Sequence, residues 1–246
     1  MIVWVNKNDS NKTLLIFDFD RTIIEEDSDM EIVNVCKDDE MRNDLNNKMK
    51  ELSDDWIQYM TYVYKELAKK YTIEDIKNYL ERNIHLTKQF EDVFTYIREK
   101  KEMYEVILLS GANAFNINFL LQRFHIEDIF DDIITNPARE NKENILDLGR
   151  YHTHECSNCD ICMCKGKIIK EILSSNIHYK NIIFICDGSN DFCLGKELKE
   201  HDVLCVRKNF SLYKKLYKKG YKDNLKCKIS LWENGGDIVH FLNTNK

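Results

Sequence analysis

Apolar residues gather along the chain in short unbroken runs, bounded on both sides by polar ones. Leu14–Phe17 is the first, and "EVILLSGAN" at Glu105–Asn113 repeats the design. "NIIFICDGSND" at Asn181–Asp191 and "HDVLCVR" at His201–Arg207 are two more, and "FDDIITN" around Ile133 is a weaker fifth. Runs of this length without alternation predict strands buried on both faces of a sheet. Between them the period changes. Helical patterns follow Gly111 in "NAFNINFLLQRF", Cys164 in "KGKIIKEILSS" and Asn209 in "FSLYKKLYKK". Strands alternating with helices predict an α/β fold, a Rossmann-like parallel sheet with helices on both faces.

One region departs from this alternation. From Ser28 to Lys88 no strand pattern stands out, and helical spacing governs Trp56, Met60, Val63 and Leu67. Ile73, Ile76 and Leu80 repeat that spacing after Thr72. Ser28 and Glu31 fit a capping box ahead of Ile32, Val33 and Val35. The expected organisation is a core of residues 1–27 and 89–246, with a small all-helical cap at 28–88 inserted after the first strand. The aromatics of the insert, Trp56, Tyr59, Tyr62 and Tyr64, read as internal packing.

Composition narrows the function. The chain has 246 residues, 43% of them hydrophobic, which is ample for a buried core. A net charge of −6 and the absence of a dominant basic patch argue against nucleic acid. The densest basic stretch, "KKLYKKGYK" at Lys214–Lys222, alternates with apolar residues and reads as an amphipathic helix end. No apolar run is long enough to span a membrane, and "MIVWVNKNDSNK" lacks the basic start and apolar centre of a secretory signal. A cytoplasmic protein with no membrane partner is expected, its nine cysteines kept as thiols. Nothing in the pattern sets an oligomeric state.

The chemistry gathers at the strand ends, where open parallel sheets bind ligands. "LLIFDFDRT" brings Asp18 and Asp20 there, and their spacing of two puts both side chains on one side with Phe19 turned away. "CDGSND" brings Asp187 and Asp191 to the end of another strand. Four carboxylates on one rim repel one another unless a cation sits among them, and a hard divalent ion such as Mg²⁺ takes such oxygens. Ser110 ends "EVILLS" just before a helix start, where a hydroxyl and nearby N–H groups suit phosphate. Lys165 in "CKGK" supplies a fixed positive charge to the same group. Any one of these motifs could be a helix cap or a solvated loop. All four in this order point to phosphoryl transfer.

"DFDRT", "LLSGAN", "CKGK" and "DGSND" resemble, in order, the four motifs of the haloacid dehalogenase (HAD) superfamily of phosphatases. "IFDFDRTIIEEDSD", "YHTHECSNCDICMCK", "DGSNDFC" and "LWENGGD" resemble more closely the phosphoethanolamine/phosphocholine phosphatase family. The resemblance implies a Mg²⁺-dependent phosphoric monoester hydrolase for a small phosphorylated metabolite. It makes Asp18 the nucleophile that becomes an aspartyl-phosphate, and Asp20 the acid and then the base. It places Mg²⁺ on the carboxylates of Asp18 and Asp187 and the Asp20 carbonyl, with Asp191 orienting metal-bound water or Lys165. Ser110 and Lys165 would stabilise the phosphoryl oxygens, and Asp29, Gly111 and Asn113 fall at substrate-binding positions.

Gly111 departs from the pattern, because the related chains carry aspartate directly after the motif-two serine. Serine followed by glycine resembles phosphoserine phosphatases instead, and Asp27 lies where that family carries an acidic cap residue. Phosphoserine, pyridoxal phosphate and thiamine monophosphate are thus alternative substrates to phosphoethanolamine and phosphocholine. A catalytically dead, zinc-stabilised binding module is the alternative of a different class. The dense run "HTHECSNCDICMC" carries two readings. It is a structural zinc site on His154, Cys156, Cys159 and Cys164, or a set of reduced thiols on an ordered loop. Asparagine stands at the position of Cys162 in the related family, which makes it the least suited ligand.

Overall fold

The computed structural model describes residues 11–141, 145–159, 161–174 and 178–245. The N-terminal stretch read above for a secretory signal falls largely outside the described residues, as does the serine that ends the expected helix after Cys164. In chain order, β1 (Thr13–Phe17) leads into α1 (Ser28–Asn34), α2 (Asp39–Glu51), α3 (Trp56–Leu67), α4 (Ile73–Asn83) and α5 (Phe90–Glu99). Then come β2 (Tyr104–Asn113), α6 (Ala114–Phe124), β3 (Asp132–Asn136), β4 (Ala138–Glu140), β5 (Leu146–Leu148) and α7 (Lys165–Leu173). The chain closes with β6 (Asn181–Cys186), α8 (Phe192–Gly195), β7 (Val203–Arg207), α9 (Ser211–Lys218), β8 (Lys228–Trp232) and α10 (Gly235–Thr244).

Six strands form one parallel sheet in the order β3-β2-β1-β6-β7-β8, and β4 and β5 make a separate antiparallel pair. The unbroken apolar run of β1 follows from its central place, since both faces are covered. Leu15 and Phe17 pack with α5, α10 and the helical insert, while Leu14 and Ile16 pack on the other face with Ile168, Ile169 and Ile172 of α7. All four β1 residues are fully buried, and each such side chain stabilises the fold by about 1.5–3 kcal/mol relative to exposure.

Helices α1 to α4 occupy the stretch without strands. The bridge between Ile24 and Leu86 brings its entry and exit side by side. The capping box expected at Ser28 and Glu31 does not form. The N-cap is Asp27, whose side chain accepts from the Met30 N–H, and Ser28 lies inside the first turn. The Ser28 N–H is drawn instead to the Asp20 carboxylate, 2.8 Å away, so the helix begins one residue earlier. The helix expected after Thr72 does form, and Thr72 and Asp75 close its first turn as a capping box. Tyr59 and Tyr64 are buried packing residues, and the Tyr64 hydroxyl donates to Asn116 of α6 at 2.8 Å. This bond and the shared core tie the insert to the sheet.

Candidate active site

Strand β1 ends at Phe17, and the Asp18 N–H still donates to Ile185 of β6 at 3.0 Å. Asp18 is thereby held at the switch point where β1 lies between β2 and β6. Beyond it the chain turns sharply. The N–H groups of Thr22, Ile23 and Ile24 all converge on the Phe19 carbonyl, and Arg21 takes a left-handed φ of 56°. That conformation is strained for a non-glycine residue. The Arg207 guanidinium at the end of β7 fixes the turn, donating to the Arg21 carbonyl and to Glu25, each at 2.6 Å.

Lys165, the first residue of α7, reaches into this corner. Its Nζ donates to Asp18 Oδ1 at 2.7 Å and to Asp191 Oδ1 at 2.6 Å. Asp191 accepts a further bond from the Gly188 N–H at 2.8 Å, and the Thr22 hydroxyl donates to Asp187 at 3.5 Å. Asp18, Lys165, Asp187 and Asp191 are all buried. One carboxylate oxygen from each of Asp18, Asp187 and Asp191 lies within 4.8 Å of the others. Burial, then the charges of Asp18 and Asp191, push the Asp187 carboxyl up to about 8. Burial likewise lifts Asp191 to about 6 against the pull of Lys165. Burial alone would lower the Lys165 ammonium, but Asp18 and Asp191 overturn this and hold it above its ordinary range. Three buried carboxylates facing one ammonium are a donor set that fits a hard divalent cation.

A cavity of about 510 Å³ opens over this cluster, and Ser110, Asp20, Asp29 and Gly111 line it as well. Ser110 is buried at the end of β2, where its Oγ accepts from the Ala112 N–H at 3.1 Å. Burial, then the charges of Asp27 and Asp29, push the Asp20 carboxyl well above its usual range, towards the protonated form. Such a group suits proton donation to a leaving alcohol. Asp29 is enclosed by three donors, the Trp56 indole at 2.7 Å, Asn113 at 2.9 Å and Asn116 at 3.0 Å. Burial and the charge of Asp27 nevertheless raise it to about 7. At Gly111 a Cβ would meet only Asn190, 4.0 Å away, so the space beside Ser110 is open.

Two assignments change. Trp56 belongs to the site, since it lines the cavity and holds Asp29. In the cysteine-rich run, Cys156, Cys159 and Cys164 do come together, but Cys193 completes the group and His154 does not. His154 turns its Nδ1 to accept the Cys156 N–H at 3.1 Å. Cys193 lies 29 residues beyond Cys164, so no local spacing reveals it. Cys162 lines the cavity with Met163 and Asn158.

Comparison with known proteins agrees with this architecture. The model of the family described as "Putative Phosphatase" matches residues 13–245. The human protein named pyridoxal phosphate phosphatase PHOSPHO2 is 31% identical over 236 residues, covering 94% of this chain and 97% of its own. The chicken (Gallus gallus) phosphoethanolamine/phosphocholine phosphatase is 29% identical, covering 94% of this chain and 88% of its own. Among solved structures, a phospho-aspartyl intermediate analogue of phosphoserine phosphatase superposes with a TM-score of 0.58 over 94% of this chain and 99% of that one, at 18% identity. With the family match spanning nearly every described residue, the chain belongs to this phosphatase family of the HAD superfamily.

Proposed function

We propose that the protein is a Mg²⁺-dependent phosphatase for a small metabolite monoester, working through an aspartyl-phosphate on Asp18. The observation that carries this reading is the buried contact of Asp18 with Lys165, with Asp187 and Asp191 beside it. Lys165 fixes Asp18 Oδ1, so attack on phosphorus falls to the other carboxylate oxygen. As the Asp18–phosphorus bond forms, the ester P–O bond breaks and Asp20 gives its proton to the departing alcohol. Asp20, now a carboxylate, takes a proton from water, whose oxygen attacks phosphorus and releases Asp18 and inorganic phosphate. Ser110 and Lys165 stabilise the equatorial oxygens in both steps. Mg²⁺ would be held by the carboxylates of Asp18 and Asp187 with the Asp20 carbonyl. When bound, it would neutralise phosphoryl charge.

A pH dependence follows from Asp187. Its folded pKa of about 8 lies above the ordinary 3.8, so the metal-free native state binds a proton that the unfolded chain has released. Stability therefore falls as pH rises through that window, from about pH 4 to pH 8. Ionised Asp187 is also the form that holds a cation. Adding Mg²⁺ is expected to raise the melting midpoint more at pH 8 than at pH 5, as calorimetry of metal-free protein would show. An equal rise at both values contradicts Asp187 as a ligand.

Residues 28–88 act as a cap over the leaving group in this reading. The carboxylates at its start that line the cavity, Asp29 and the adjoining core residue Asp27, are already engaged: Asp29 holds three donors, and Asp27 caps α1 and pairs with Arg21 at 3.4 Å. Neither is a spare partner for a compact cation, whereas Trp56 offers an aromatic wall. These features favour pyridoxal phosphate over phosphoethanolamine and leave phosphocholine between the two, since an aromatic wall also accepts a quaternary ammonium. The test is kcat/KM for these three esters, phosphoserine and thiamine monophosphate, with and without Mg²⁺. Gly111→Asp adds a carboxylate into open space and should raise the two amine esters against pyridoxal phosphate by about tenfold or more. An unchanged ratio removes this account of the pocket, and no Mg²⁺-stimulated turnover of any ester removes the phosphatase mechanism.

A further inference from the structure

The four-cysteine group lies outside the phosphoryl chemistry. Cys156 and Cys159 come from the loop before α7, Cys164 is the residue just ahead of it, and Cys193 belongs to α8. One Sγ from each lies within 4.8 Å of all the others. Cys156 Sγ is 3.5 Å from Cys193 Sγ and 3.8 Å from Cys159 Sγ. These separations are too long for disulfides, and none of the four is in one. They match the edge of a tetrahedron of sulfurs around zinc, about 3.8 Å for Zn–S bonds of about 2.3 Å. The two histidines of the run serve the backbone of the loop. His154 Nδ1 accepts from the Cys156 N–H, and His152 Nε2 accepts from the Cys164 N–H, both at 3.1 Å.

We propose that Cys156, Cys159, Cys164 and Cys193 form a structural zinc site that clamps the loop before Lys165 to the turn after Asp191. The two segments already approach as closely as backbones can. A Cβ at Gly166 would stand 2.7 Å from the Cys193 carbonyl oxygen. Cys164 directly precedes Lys165, and Cys193 follows Asp191 by two residues. The clamp therefore spans the Lys165–Asp191 ion pair from behind and fixes the ammonium that orients Asp18. On binding, each thiol releases its proton to solvent and the thiolates take the ion. The four residues would be positioning residues, acting through Lys165 and Asp191; of the four, Cys159 alone lines the cavity.

The experiment is metal analysis of the full-length protein after dialysis against a weak chelator, which needs no phosphatase activity. Wild type is expected to keep one zinc per chain. His154→Ala and Cys162→Ser should keep it, and Cys159→Ser and Cys193→Ser should lose it. Cobalt(II) loaded into wild type should show sulfur-to-metal charge-transfer absorption that zinc abolishes. Should the cysteine variants prove insoluble, alkylation of wild type decides the matter. Zinc should shield Cys156, Cys159, Cys164 and Cys193 from iodoacetamide, and a strong chelator should unshield them. Wild type that holds neither zinc nor cobalt overturns the proposal. So does iron in place of zinc, full zinc in Cys193→Ser, loss of zinc in His154→Ala, or alkylation indifferent to the metal.

Discussion

Asp18→Asn is expected to lower kcat by about four orders of magnitude or more while leaving the fold intact. The substitution keeps the volume and the backbone contact with Ile185. It removes the carboxylate that attacks phosphorus in the proposed mechanism, so no aspartyl-phosphate would form. The fold survives because Lys165 keeps its second partner, Asp191, at 2.6 Å. Removing one negative charge from a crowded cluster also relieves repulsion on Asp187. The variant should therefore melt at or above the wild-type temperature before metal is added. Turnover within tenfold of wild type would show that another group is the nucleophile.

Lys165→Met should damage both activity and stability. The ammonium is buried and bonded to two carboxylates that are themselves buried. Removing one partner from such a group costs about 3–5 kcal/mol, because the remaining charges lose compensation. Turnover should fall on the order of 10³-fold, the scale for losing a fixed charge that stabilises a transition state. The sign with pH is set by the carboxylates. At low pH they take up protons and tolerate the loss, so the destabilisation should be smaller at pH 5 than at pH 8. Chemical denaturation at the two values measures this, and a loss independent of pH would mean that packing rather than charge dominates at this position.

Asp18, Ser110 and Asp187 were legible in the sequence because they stand at the ends of strands buried on both faces, and Lys165 because "CKGK" reads as a helix start. The burial of Leu14–Phe17, of β2 and of β6 imposes unbroken apolar runs, and the polar residues that end them, Asp18, Ser110 and Asp187, break the pattern sharply. Strand β8 left no such mark. It lies at the sheet edge, and Lys228–Leu231 are only partly covered or exposed. The partners of Asp29 were hidden for a different reason. They stand 27, 84 and 87 residues away, and only the folded insert against α6 brings them to one carboxylate. Trp56 looked like packing for the same reason, since its ring and its N–H face different surroundings. Cys193 shows the general limit: local spacing finds cysteines that share one loop and misses one brought to the same cluster by another element.

The central position of β1 bears on how the protein is made. Its residues leave the ribosome before those of the other five strands of the sheet, yet they pair with β2 on one side and with β6, at Asn181–Cys186, on the other. Until β6 has been synthesised, one edge of this buried, apolar strand has no partner from its own chain. An edge of that kind invites pairing with other chains. Lys165 and Asp18 are 147 residues apart, so this corner of the site can assemble only after Lys165 has emerged. Nascent chains stopped between β2 and β6 should be inactive and aggregation-prone. Competence should arrive only once Asp191 has cleared the exit tunnel, which makes the whole core a single late folding event.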